Sequence, residues 1–203
     1  MDSDASVAND SRDVGAPDRQ VVILLAQLFA AAWAFALWAA ADAWQALTRL
    51  PVASALSVLT ALPAGLVFAT LVHEWGHFAG ARIAGARCTV PAKVGLYAFN
   101  YDFAANSLRH FRVMSWAGQV GGLLAILALA MLLPLDTPGR CMVLAASVGA
   151  FFFAGMIEWP VLARVGRSGN PLAELSRIDR GVIRRSAGTG VVATVLSWIF
   201  LAF

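Results

Sequence analysis

Two imidazoles and a carboxylate stand on a single turn of an otherwise apolar run, His73-Glu74-Trp75-Gly76-His77. On a helix, positions i and i+4 fall on one face a turn apart, so His73 and His77 can both offer a ring nitrogen to one metal ion. Glu74 then lies beside that ion. In this H-E-x-x-H spacing the two His hold zinc (Zn2+) and the Glu serves as general base toward the water that the ion acidifies. The plain alternative is two unrelated interfacial histidines. Three ionisable groups on one turn of an apolar span need a compensating partner, which favours the metal.

The chain that carries this turn has 203 residues, 60% of them hydrophobic and only 13% charged, with a mean hydropathy of +0.71. That mix lies outside the range of soluble globular domains and belongs to an integral membrane protein. The net charge of +3 does not call for a nucleic-acid partner, because fourteen of the fifteen cations are Arg, gathered mostly in two segments between apolar runs. Arg placed that way signals topology. Cys88 and Cys141 lie at the edges of apolar runs, without the spacing of a thiol metal site, and on opposite sides of the membrane in the topology below. No disulfide between them is expected.

The elements that must position the turn follow from the apolar runs. Residues 1–20 are polar, with Asp2, Asp4, Asp10, Asp13 and Asp18 against Arg12 and Arg19, and read as a disordered cytoplasmic tail. The uncharged run 21–41 is long enough to cross the bilayer as a helix and continues toward Trp44. Arg49 and Pro51 mark a turn, and the second run, 52–72, leads directly into the histidine turn and ends near Gly85, with Pro63 inside it. Residues 113–135, 141–163 and 186–203 supply three further spans, the third opening with Gly118, Gly121 and Gly122, which allow close approach to the motif helix. Between spans two and three, Tyr97, Phe99, Tyr101 and Phe103 alternate at period two and predict a strand with an aromatic face. An interfacial belt is the simpler account of those aromatics. The expected fold is an all-α polytopic membrane protein with about five transmembrane helices and a short membrane-associated β segment. Its membrane domain covers residues 21–203.

The Arg-rich segments follow spans two and four and therefore lie on one side, which the positive-inside rule makes cytoplasmic. The N-terminus is then cytoplasmic, the C-terminus outside, and the histidine turn near the cytoplasmic leaflet.

These residues resemble the site-2 protease family of intramembrane zinc metalloproteases. His73-Glu74-Trp75-Gly76-His77 matches the family's first motif, and Ala117-Gly118-Gln119 is similar to a degenerate form of its Ala-Gly-Pro. The likeness covers residues 51–185. The family's third zinc ligand is an acid on a later core helix, within an Asn, proline, Leu-Asp-Gly pattern from which this chain departs. Asp179, in Ile178-Asp179-Arg180-Gly181, is the closer analogue in sequence, although an acid paired with Arg177 or Arg180 would look the same. Glu158 is the better candidate on physical grounds, because it is a lone carboxylate at a depth like that of Glu74, unless it pairs with Arg164. Both stay open as the one acid ligand beside His73 and His77. The resemblance implies a metalloendopeptidase of the bacterial inner membrane that cleaves membrane-protein substrates in or near transmembrane segments, with Glu74 as the catalytic base. The alternatives are a relative that keeps the metal without catalysis, and a metal-ion transporter.

Overall fold

The computed structural model describes residues 16–203; most of the tail assigned to residues 1–20 lies outside them. Eight elements follow in order: α1 (Ala16–Thr48), α2 (Pro51–Ala84), β1 (Cys88–Thr89), β2 (Asn100–Tyr101), α3 (Leu108–Leu132), α4 (Pro138–Ser168), α5 (Pro171–Leu175) and α6 (Arg180–Ala202). Five of the helices are long and apolar enough to cross a membrane. Large apolar side chains such as Phe29, Trp33, Leu59, Leu124 and Val191 point outward from them. Such a surface is stable against hydrocarbon and not against water. The protein is membrane-embedded.

Helix ends follow local chemistry more closely than they follow the limits of the apolar runs. α1 begins at Ala16, inside the stretch read as tail. Gly85, at φ 76°, closes α2 in the left-handed conformation, with its N–H bonded back to Ala81 and Arg82. α3 starts five residues before the uncharged run, because the Ser107 hydroxyl accepts from His110 N–H while the His110 ring accepts from Ser107 N–H. Thr137 and Asp179 cap α4 and α6 with the first half of that arrangement, their side-chain oxygens accepting from the N–H groups of Arg140 and Val182.

The β segment is shorter than the aromatic alternation implies. Only Cys88–Thr89 and Asn100–Tyr101 pair, antiparallel, with Cys88 opposite Tyr101. Asp102 ends the second strand, its carboxylate accepting from the N–H groups of Ala104 and Ala105 at 3.0 Å each. Phe99, Tyr101 and Phe103 pack inward against Phe78 and Phe111, whereas Tyr97 is exposed. The alternation therefore records a small aromatic core and only in part a strand.

α2 lies at the centre of the bundle, antiparallel to α1 and α3 and parallel to α4. Glycines set the closest approach: a Cβ at Gly76 would meet Ala117 O at 2.6 Å, and one at Gly121 would meet Val72 O at 2.7 Å. The glycines expected to bring α3 onto the motif helix do so. Both cysteines are free thiols.

Candidate metal centre

His73 and His77 sit on the face of α2 that looks between α3 and α4. The helix repeat stacks them, with ring centroids 4.5 Å apart and Nε2 atoms 3.0 Å apart. From α4, Glu158 brings Oε1 to 2.8 Å from His73 Nε2 and 3.2 Å from His77 Nε2. Three potential ligand atoms from two helices thus form one small triangle. Arg164, the alternative partner for Glu158, is bonded instead to Glu174 at 2.9 Å, a buried acid that also pairs with Arg177. Asp179 is not at the triangle: it is exposed and its carboxylate accepts from Val182 N–H at 2.7 Å at the start of α6.

The surroundings fix which atoms face the triangle. His77 Nδ1 lies 3.0 Å from the carbonyl of Met114, which can only accept, so Nδ1 carries a proton and, in the neutral imidazole, Nε2 presents its lone pair. Gln119 donates from Nε2 to Glu158 Oε2 at 2.8 Å, leaving Oε1 to the imidazoles. A Cβ at Gly118 would occupy the space of the His77 ring, so glycine there is a requirement for the ring to sit where it does. His73 Nδ1 and Gln119 Oε1 are buried without a partner among the described residues.

This donor set fits zinc. Tetrahedral coordination at about 2.0–2.1 Å separates ligand atoms by roughly 3.3 Å, a few tenths more than the distances here. With His77 Nε2 and a carboxylate oxygen both acceptors at 3.2 Å, a cation or a shared proton is needed to hold them together. Glu74 also has a carboxylate oxygen within 4.8 Å of both imidazoles, but it is Glu158 that touches them. Among the described residues Glu74 has no hydrogen bond or ion pair, and it lines an adjoining cavity.

That cavity measures about 400 Å3 and lies between α2, α3, α4 and the residues around the β ladder. Its walls are apolar, with Leu96, Tyr97 and Phe99 on one side and Phe151, Phe153 and Ile157 on the other. Tyr101 also borders it; burial pushes its phenol up to about 12, so it is a neutral hydroxyl.

Motif spacing marks Gln119 only as a neighbour of Gly118 and does not mark Gln27, which bonds to Trp75 of the histidine turn. Each is the lone amide in its apolar run, and a polar group in such a run must find a partner. No family model, no curated protein and no solved structure matches this chain.

Proposed function

We propose that the chain is an intramembrane zinc metallopeptidase that hydrolyses peptide bonds in or next to transmembrane segments, as its resemblance to the site-2 protease family implies. The observation that carries the reading is the convergence of His73, His77 and Glu158 beside a cavity lined by an uncommitted Glu74. The two imidazoles and Glu158 would hold the metal. When bound, zinc supplies a Lewis acid for the scissile carbonyl and makes water acidic enough to lose a proton near neutral pH.

The chain's own groups divide the remaining work. Glu74, free of other partners, takes the proton of the attacking water at its carboxylate and can return it to the departing amine. The Met114 carbonyl and the Gln119 amide keep His77 and Glu158 in place. A carbonyl inside a substrate helix is already hydrogen-bonded, so the peptide must be unwound before attack. The apolar walls accommodate an extended segment with bulky apolar side chains, and the short ladder near Tyr101 offers an edge for it. By the positive-inside rule the Arg-rich ends of α2 and α4 face the cytoplasm, which in a bacterial inner membrane opens the site toward the inner leaflet.

The test is to incubate purified protein with a single-span membrane protein in detergent or liposomes and to follow its fragments. Cleavage by the wild type and at least about 100-fold less by Glu74→Gln is expected. Equal cleavage by both would remove Glu74 from the chemistry.

A further inference from the structure

Gln27 is buried, at 6% exposure, in a stretch of α1 that is otherwise apolar from Val21 to Ala41. All three of its bonds go to groups around the candidate site. Its Nε2 donates to Gly95 O at 2.9 Å and to Leu96 O at 2.8 Å, and its Oε1 accepts from Trp75 Nε1–H at 2.8 Å. Among the described residues, 91–98 make no other hydrogen bond, and 92–97 are all exposed. The segment therefore hangs between the two-residue ladder at its ends and one amide of α1 at its tip.

The tip separates two spaces. On one side is the cavity beside Glu74; on the other a pocket of about 480 Å3 between α1 and α2, and Leu96 and Thr70 border both. Whatever fixes Leu96 fixes the wall between them. We infer that Gln27 is a positioning residue for peptide binding: it fastens Gly95 and Leu96 to α1, and so holds Leu96 and Tyr97 as one wall of the cavity that receives the substrate. For its effect on substrate this rests on the peptidase reading. The tether itself does not.

Lys93 is exposed in the same segment, which supplies a readout independent of activity. Trypsin needs a detached stretch of chain, and its initial rate at a site follows how often that stretch is open. In the detergent-purified full chain, Gln27→Met keeps side-chain length but removes both donors. It is expected to speed cleavage after Lys93 about tenfold, the effect of two lost hydrogen bonds, with cleavage after Arg109 and Arg184 unchanged. Trp75→Phe removes only the third bond and should leave the Lys93 rate at the wild-type value. An unchanged Lys93 rate in Gln27→Met, or equal acceleration at every site, overturns the tether.

With a peptide substrate, Gln27→Met should raise KM about tenfold and leave kcat within about twofold, because the wall holds the substrate and the reacting groups are untouched. A fall confined to kcat overturns the positioning role. If even the wild type cleaves nothing, the peptidase reading fails, and the Lys93 rates still decide the tether.

Discussion

Asp42 is buried and Glu158 half-buried in this bundle, and the company of the two carboxylates differs. Asp42, on α1, accepts from the hydroxyls of Ser57 and Thr137 at 3.2 and 2.8 Å and from Arg140 Nε at 2.8 Å. Each of its oxygens faces a donor, one of them a fixed cation, and the charge is balanced by the protein itself. Glu158, on α4, has one oxygen on an amide and the other on two imidazole nitrogens, one of which is an acceptor in the neutral ring. No Arg or Lys pairs with it among the described residues, and a cavity gives access to it. A satisfied buried acid ties helices together, whereas one that converges with imidazole nitrogens is the arrangement that the proposed metal site requires.

Substitutions at the two ends should separate these roles, and the largest effect belongs to the cavity end. Glu74→Gln should lower cleavage by about 10²- to 10⁴-fold while zinc content stays at the wild-type level, since only the proton acceptor is lost. Metal analysis beside the activity assay checks both halves. Next comes Asp42→Ala, which leaves Arg140 without its buried partner; a loss of about 3 kcal/mol is expected, the low end of the range for buried pairs because Arg140 is partly exposed. A lower apparent Tm with unchanged zinc would confirm that Asp42 is structural. Loss of metal in that variant would erase the distinction.

Smaller effects probe the support of each ligand. Gly118→Ala pushes a methyl group into the His77 ring and should weaken zinc about 10- to 100-fold in a competition titration with a chelator. Asp179→Asn should change stability by no more than about 0.5 kcal/mol and leave metal and cleavage untouched, because Asn caps a helix about as well as Asp. A large loss of metal there would return Asp179 to the site.

The histidine turn was legible because its three residues are neighbours in the chain, and helix geometry alone places them together. The five spans were equally legible, since each is a long apolar run. Glu158 stood out as a lone acid in such a run, yet its pairing with α2 bridges 85 residues, so sequence alone left Asp179 as a rival. The cluster around Asp42 stayed hidden for the same reason: its partners lie 15, 95 and 98 residues away. The strand was read too long because packed aromatics can alternate without a ladder, and period two does not distinguish the cases. Gln27 carried a signal that went unread, a single amide where every neighbour is apolar.

The most direct measurement is the zinc content of the detergent-purified protein after brief exposure to a mild chelator, for the wild type, Glu158→Gln and Asp42→Asn. The wild type should keep about one zinc per chain, and so should Asp42→Asn, whereas Glu158→Gln should lose it, because an amide is a poor substitute for an anionic ligand. Full zinc in Glu158→Gln, or none in the wild type, would contradict a metal centre built from His73, His77 and Glu158.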